Sequence, residues 1–303
     1  MSVTVKIGVI GAGVLGSALA RLLAARGYPV VAVSSRRLER AETLAVAVGA
    51  EAHRLPHEVA VRADLTLLTL PDDQIGPVAA EVARAGGWGP GKAAVHTSGA
   101  LDRSVLAPAA ERGAWTGGLH PLLAAADPDQ ALQALEGSWF GVEAEEPLLG
   151  TLETLVRRLG GRPLRVPGAA KDLYHLAAAL AANGAVALFA LAVDLIGRAG
   201  IPETEAGRAL VPLLRGSVEN LERLGLPRAL TGPIARGDHG TVLRHLEALG
   251  REAPELTTLY CGLGRRMVSL ALAKGGLDDA GARRILRTLA DAEEAACGSR
   301  SRR

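Results

Sequence analysis

The sequence is poor in cysteine, aromatic residues and net charge, and each shortage argues against a class of protein. Only two cysteines occur, Cys261 and Cys297, and they form no CxxC pair; this pattern argues against a disulfide scaffold and predicts reduced thiols. A net charge of +2 over 303 residues predicts no strong attraction to nucleic acid or to an anionic membrane surface. Because the chain enters its first apolar strand without a secretory signal pattern, we expect a cytoplasmic protein.

Lysine is scarce as well, because arginine supplies almost all of the positive charge and only four lysines occur. One of them, Lys171, stands at the front of a stretch (residues 173–193) that has no Asp, Glu, Lys or Arg. That stretch is long enough to cross a membrane. Alanine dominates it and no basic cluster flanks it, so we expect a buried helix of a soluble protein and no membrane partner.

Short β-branched runs alternate with Ala/Leu helices up to about residue 166, which indicates an α/β fold with a doubly wound, mostly parallel Rossmann sheet. The predicted strands are 6–10, 30–33, 65–70, 93–96, 117–120, 138–142 and 164–166. The predicted helices between them are 14–26, 37–48, 75–85, 129–135 and 148–159.

Strand patterns end near "RVPG" at residues 165–168, and glycines then separate helical segments predicted at 170–199, 203–224, 241–249, 254–274 and 278–296. We therefore expect two domains. Residues 1–167 would form an NADP-binding Rossmann-like domain, and residues 168–303 an all-α domain for substrate binding or dimerisation.

The sharpest motif is "GVIGAGVLG", in which Gly11, Gly13 and Gly16 form G-x-G-x-x-G between an apolar strand and an amphipathic helix. That context favours a dinucleotide site over an ordinary tight turn, because the helix N-terminus then offers free N–H groups to a pyrophosphate. The intervening Ala12, Val14 and Leu15 belong to the same expected contact.

The end of the second strand indicates which dinucleotide binds. An NAD site places a carboxylate there, whereas this chain has Ser34, Ser35, Arg36 and Arg37. Hydroxyls and guanidinium groups suit a 2′-phosphate, so the predicted cofactor is NADP(H). The alternative is that the arginines only open the next helix on its solvent face. After the third strand, "TLPDDQI" is expected to wall the cofactor with the three residues Leu70, Pro71 and Ile75.

Two further strand ends carry polar residues, in "HTSGAL" at 96–101 and "GGLHPL" at 117–122. Ligands of such sheets bind at the carboxyl ends of strands, so Ser98 and Gly99 are candidate substrate contacts and His120 is a candidate catalytic residue. The alternatives are that Ser98 makes a turn and that each histidine, His96 included, satisfies a local backbone group.

Lys171 lies in the first turn of its predicted helix, where the dipole disfavours an ammonium. His175 is one turn further along the same face, so both are candidate catalytic residues. Asn183 and, in the loop "LTGPIARGDHG", Arg236 are candidate substrate-binding residues. Tyr174 is better explained by packing. No metal site is predicted.

The motif order "GVIGAGVLG … TLPDDQI … HTSGAL … LHPL … KDLYHLAAALAANG … LTGPIARGDHGTVLRHL" resembles the bacterial proteins that join a Rossmann-like domain to a C-terminal helical domain of unknown function. These are provisionally described as NADP oxidoreductases. The resemblance covers nearly the whole chain and implies the β-hydroxyacid dehydrogenase type of fold, with pyrroline carboxylate reductase and ketopantoate reductase as more distant relatives.

Carried over by position, the resemblance places the substrate carboxylate at Ser98 and Gly99 and the catalytic lysine at Lys171. Its K-x-x-x-N pattern reads K-x-x-x-H here, with His175 in the asparagine place. Relatives often pair their helical domains, so a homodimer is expected.

The sequence therefore predicts an NADP(H)-dependent oxidoreductase that moves a hydride to or from a small carbonyl, hydroxy or imine compound, with a carboxylate-bearing compound as the expected substrate. The alternative from another class is a non-catalytic NADP(H)-binding sensor or assembly protein, since the glycine motif fits both.

Overall fold

The computed structural model describes residues 5–300 and contains one eight-stranded sheet in the order β3-β2-β1-β4-β5-β6-β7-β8. All neighbouring strands are parallel except β6 and β7, which pair antiparallel. The α/β, mostly parallel fold predicted from the sequence is confirmed. The strands are β1 Ile7–Ile10, β2 Val30–Ser34, β3 Glu51–His53, β4 Leu65–Leu68, β5 Ala93–His96, β6 Trp115–Pro121, β7 Trp139–Ala144 and β8 Arg162–Arg165.

Helices cover both faces of this sheet, and every residue of the central strands β1, β4 and β5 is buried. Continuous apolar strands of this kind belong inside a parallel sheet rather than at its edge. The helices are α1 Val14–Ala25, α2 Leu38–Val48, α3 Pro56–Arg62, α4 Asp72–Arg84, α5 Ala107–Ala110, α6 Pro128–Leu135, α7 Leu148–Arg158 and α8 Lys171–Ala179.

Three elements of the sheet region escaped the sequence prediction: strand β3, helix α3 and helix α5. None of them reaches eight residues. Short segments without a clear period give little signal. The prediction was also too long for the third strand, which ends at Leu68, and too short for β6, which extends to Pro121.

A second compact unit begins at Ala185 and is helical in its described residues, with α9 Ala185–Arg198, α10 Glu203–Leu224, α11 His239–Glu252, α12 Thr257–Lys274 and α13 Asp279–Arg300. Its core gathers Ile234, Val242, Cys261, Val268 and Ile285. The first unit extends to Gly184, whereas the sequence placed the boundary between residues 167 and 168. The difference arises because α8 makes its side-chain contacts with the sheet.

The long apolar segment was predicted to be one buried helix. It is instead helix α8, a π-helical turn at Leu180–Gly184 and helix α9. Within Gly168–Arg198 the most apolar 18-residue window has a mean hydropathy of 2.2, and none of that window is buried. By length and composition alone this helix could cross a membrane, which for a single helix is weak evidence. The expected burial is therefore wrong for the single chain, because most of the leucines of the segment and Val186 are exposed.

Candidate functional site

The turn after β1 has the geometry that the glycine motif predicts. Gly11 has a φ of 115°, a left-handed value that favours glycine, and a Cβ there would lie 2.4 Å from the carbonyl oxygen of Thr69. A Cβ on Gly16 would lie 2.0 Å from the Gly11 carbonyl oxygen, so α1 can approach the turn only with glycine at this position. A Cβ on Gly13 would meet nothing within 4 Å. The turn is thus closely packed at Gly11 and Gly16 and open at Gly13, where a pyrophosphate can approach the backbone.

This turn forms one wall of a cavity of about 580 Å³. Eight predicted cofactor residues line it, namely Gly11, Ala12, Gly13, Ser34, Ser35, Arg36, Leu70 and Pro71. The volume is in the range of small-molecule sites. The sequence therefore identified two parts of the cavity lining, namely the glycine turn after β1 and the serine and arginine residues at the end of β2.

Five residues predicted to contact the cofactor do not line that cavity: Val14, Leu15, Gly16, Arg37 and Ile75. Ile75 is fully buried in the core under α4, and Leu15 packs on the core under α1. Gly16 serves the turn itself, and the backbone N–H of Arg37 donates to the Ser35 hydroxyl oxygen at 3.3 Å. These positions support the cavity rather than line it.

The cavity also has lining residues that the sequence did not indicate, including Arg40, Arg54 and Gln74. Arg40 stands one helical turn after Arg36, a spacing that could have been noticed. Arg54 follows β3, and it was missed because that strand was missed. Three guanidinium groups, from Arg36, Arg40 and Arg54, thus line a single cavity.

The second group of predicted residues lies at the same carboxyl edge of the sheet. Ile10 pairs with Leu68, Leu68 with His96, and His96 with Gly118. Since neighbouring strands lie about 4.8 Å apart, the ends of β5 and β6 are roughly 10–15 Å from the glycine turn. A single dinucleotide lying along this edge can therefore reach both places.

Lys171 occupies a gap in a row of residues across three strands. His96 on β5 pairs with Gly118 on β6, which pairs with Glu143 on β7. Directly paired residues point to the same face of a sheet. A Cβ on Gly118 would lie 3.2 Å from Lys171 Nζ and 3.1 Å from His96 Cε1. The ammonium thus lies above the glycine, between an imidazole and a carboxyl group.

The Lys171 side chain is only 2% exposed. Its Nζ donates to the Ser98 carbonyl oxygen at 3.4 Å and lies 3.9 Å from Glu143 Oε2. Burial lowers the pKa of Lys171, and the negative charges of Glu143, Asp102 and Asp72 oppose that shift. A lysine with this environment can lose a proton far more easily than a surface lysine.

His96 is a buried neutral imidazole beside that lysine. Its Nδ1 accepts from the Ser98 backbone N–H at 3.2 Å, and its Nε2 has no hydrogen-bond partner among the described residues. Burial, and then the charge of Lys171, lower the pKa of His96 to about 4. The nearby Asp102 backbone opposes the shift without completing a hydrogen bond to Nε2.

His120 and His175 close over Gly99, where a Cβ would lie 2.8 Å from both His120 Nε2 and His175 Nδ1. The Tyr174 hydroxyl lies 2.9 Å from His120 Nδ1, so Tyr174 does more than pack. Burial and the Lys171 charge lower the pKa of His120 to about 4, and burial raises the pKa of Tyr174 to about 12. At neutral pH His120 and Tyr174 are uncharged, and with the tyrosine donating to Nδ1 the hydrogen of His120 is on Nε2.

The remaining predicted residues divide between the site and other places. The Ser98 hydroxyl accepts from the N–H groups of Ala100 and Leu101, which is the turn-forming role. Asn183 is exposed in the π-helical turn, roughly 15–20 Å along the helix from Lys171, so it is not part of the cluster. Arg236 is exposed in the second unit. Within residues 5–300, no group of three or more His, Cys, Asp or Glu side chains could hold a metal ion.

Two families match successive parts of the chain. Residues 2–121 match a Rossmann-like domain, and residues 138–267 match a domain of unknown function, DUF2520. No curated protein sequence is significantly similar to the chain.

Solved structures match nearly the whole chain. A protein provisionally named an NADP oxidoreductase from Bacteroides fragilis is 26% identical, with a TM-score of 0.68 over 88% of this chain and 98% of that one. A protein from Thermotoga maritima is 24% identical, with a TM-score of 0.72 over 88% and 99%. The Plasmodium falciparum pyrroline carboxylate reductase, solved with NADP bound, is 14% identical, with a TM-score of 0.58 over 90% and 97%, and so shows the fold alone. The chain belongs to the proteins that join a Rossmann-like domain to a DUF2520 domain.

Proposed function

We propose that the protein is an NADP(H)-dependent oxidoreductase that reduces a small carbonyl or imine compound carrying a carboxylate, or catalyses the reverse reaction. One observation carries the proposal. The buried ammonium of Lys171 lies at the same sheet edge as the glycine turn, beside two imidazoles whose pKa burial lowers to about 4. A protein that only bound a dinucleotide would have no use for so costly an arrangement.

The cofactor half of the proposal rests on the cavity at the glycine turn. Gly13 leaves its backbone open to a pyrophosphate, and Arg36, Arg40 and Arg54 offer guanidinium groups to a 2′-phosphate. The matched protein from Bacteroides fragilis, which is 26% identical, is provisionally named an NADP oxidoreductase, and this supports NADP(H) as the cofactor here. When bound, this cofactor supplies or accepts the hydride.

The chain's own residues would handle the proton and the orientation of the substrate. In the reductive direction Lys171 gives its proton to the oxygen or nitrogen that develops negative charge. Its four-carbon side chain already reaches the loop after β5, where it bonds to the Ser98 carbonyl. Neutral His120 would hold the same carbonyl or imine through its Nε2 hydrogen. His175, which is exposed beside it, would contact the rest of the substrate.

The experiment is to follow the loss of NADPH absorbance with a panel of 2-oxo acids and carboxylated cyclic imines, and to measure NADPH binding separately. We expect NADPH to bind and at least one compound to be reduced. If NADPH binds and no compound of either class consumes it, the sensor or assembly role becomes the better account.

A further inference from the structure

Lys171 has no route of its own to bulk water. The side chain is 2% exposed, and its nitrogen is enclosed by the row His96, Gly118 and Glu143. In the proposed function this lysine gives up one proton in each reductive cycle, so another group must return one. The inference below rests on that proposed function.

We propose that Glu143 returns the proton to Lys171 and takes its own from water on the far side of the row, in a cavity separate from the cofactor cavity. Glu143 Oε2 is 3.9 Å from Lys171 Nζ. A shift of about 1 Å in the flexible lysine side chain would bring the two atoms to hydrogen-bond distance.

The second cavity has a volume of about 490 Å³ and is lined by Glu143, Asp102, Arg103, Ser104 and Gly168, among others. It shares no lining residue with the cavity at the glycine turn. Glu143 therefore has one side toward the lysine and the other toward a space that water can enter. Glycine at position 168 keeps that side open, since a Cβ there would lie 2.6 Å from Glu143 Oε1.

Burial brings the pKa values of Glu143 and Lys171 closer together. Burial raises the pKa of Glu143, although the Arg103 backbone N–H and the charges of Lys171 and Arg103 oppose the rise and Asp102 adds to it. Burial lowers the pKa of Lys171. The two shifts reduce the usual gap between a carboxylic acid and an ammonium, and so reduce the energy needed to pass a proton between them.

Lys171 also faces groups from other elements: Asp72 on α4, Asp102 after β5, His96 on β5 and His120 on β6. Burial keeps both imidazoles neutral at neutral pH. Asp72 is exposed, and Asp102 is half-buried with its pKa lowered by hydrogen bonds from Ser104, which makes it a weak proton donor. Glu143 is therefore the buried acid within reach.

The step balances without another reactant. After Lys171 has given its proton to the substrate, the Glu143 carboxylate takes a proton from solvent through the water of the second cavity and passes it to the neutral amine. This restores the ammonium and the carboxylate. The one proton taken from solvent per hydride is the proton that the reduction itself consumes.

The first test uses Glu143→Gln, which keeps the size of the side chain and its ability to accept from the Arg103 N–H. We expect NADPH affinity to stay the same and turnover to fall about tenfold or more. We also expect a larger solvent isotope effect and partial recovery with formate or acetate. Glu143→Asp should retain more activity than Glu143→Gln. Glu145→Gln, an exposed control that pairs with Arg103, should match the wild type. Unchanged turnover and pH profile in Glu143→Gln would overturn the proposal.

The second test does not depend on a substrate. Only four lysines occur, so ¹³C- or ¹⁵N-labelled lysine gives few NMR signals, and Lys171→Ala assigns the relevant one. Removing the Glu143 charge should lower the pKa of Lys171 further, whereas Glu145→Gln should not change it. If the wild type reduces no compound, the proposed function fails. The NMR titration still decides whether these two groups share a proton: an unmoved Lys171 titration in Glu143→Gln would refute the coupling.

Discussion

Lys171 is the residue on which the chemistry depends, and its position is costly in two ways. It lies in the first turn of α8, where the helix dipole disfavours a cation, and its side chain is almost completely buried. Glu143, Asp102 and Asp72 compensate part of that cost by favouring the charged form. Burial nevertheless lowers the pKa of Lys171, so its proton is more readily transferred than that of a surface lysine.

Replacing Lys171 by alanine should therefore reduce turnover by a factor of about 10² or more, with little change in the dissociation constant of NADPH. The reductive rate of the wild type should fall as the pH rises through the Lys171 pKa, which lies below the ordinary value of 10.5, because only the ammonium can donate. Steady-state rates against pH and a fluorescence titration of NADPH measure the two effects. Lys6→Ala, at an exposed position, is the control. Normal turnover in Lys171→Ala would remove the lysine from the mechanism.

His96 gives a prediction about stability. Its pKa is about 4 in the folded protein against an ordinary 6.5, so the unfolded chain binds a proton at a higher pH than the folded one. The stabilisation is fully present above about pH 6.5 and is lost as the pH falls toward about 4. Between pH 7 and pH 5 this contribution should fall by about 2 kcal/mol.

Urea unfolding at these two pH values tests the prediction, using His96→Gln, in which that loss should be absent. His57→Gln, a partly exposed position on α3, is the control and should lose as much stability as the wild type. An equal pH dependence in wild type and His96→Gln would contradict it.

Some of these residues could be identified from the sequence and some could not. Lys171 could be predicted because a lysine is unusual in this arginine-rich chain and opens an uncharged helix. Glu143 could not, because one carboxylate directly after the predicted strand 138–142 carries no signal until pairing places it opposite Gly118. The Tyr174–His120 hydrogen bond likewise depends on how α8 meets β6.

At the scale of elements, strand ends decide what the cofactor cavity contains. The turn after β1 and the end of β2 were predictable from glycine spacing and from the absence of a carboxylate before Glu39. Strand β3 has three residues and only partial burial, so it lacks the apolar run that identifies a buried strand. Because β3 was not predicted, Arg54 was not recognised as a candidate site residue, although Arg54 lines the same cavity as Arg36.

Arg54 should contribute to cofactor choice. Replacing Arg54 by alanine should weaken NADPH binding about 10–100-fold, the value of one or two charge-assisted hydrogen bonds, and leave NADH binding unchanged. Titrations with both nucleotides measure this difference, and Arg84→Ala, at the exposed end of α4, provides the comparison. Equal losses for NADPH and NADH would mean that Arg54 supports the cavity without reading the 2′-phosphate.

At the scale of the whole molecule, the main unusual feature is that several helices expose large apolar side chains to solvent. Leu173, Leu180, Val186 and Leu213 are each at least 65% exposed, more than one soluble chain normally tolerates together. Residues 173–193 carry no charge, so the surface offers no complement to a charged partner and is complementary to itself. We expect a second copy of the chain to cover the apolar side chains of residues 173–193 by two-fold pairing.

We therefore expect a homodimer with a mass of about twice 31.2 kDa. The protein is prepared without detergent, and its mass is measured by light scattering after gel filtration. Val186→Glu should shift the mass toward the monomer, because burying an unpaired charge is costly, whereas Val46→Glu, at an exposed position on α2, should not. A monomeric wild type, or a protein extracted only with detergent, would contradict the prediction.

We expect one dinucleotide to lie along the carboxyl edge of the sheet, from the arginines to Lys171. A crystal structure with NADP(H) bound measures this directly. We predict the 2′-phosphate against Arg36 and Arg54, the pyrophosphate at Gly13, and the nicotinamide ring beside Gly99, His120 and Lys171. A nicotinamide ring held away from that cluster, with Lys171 still enclosed, would contradict the account.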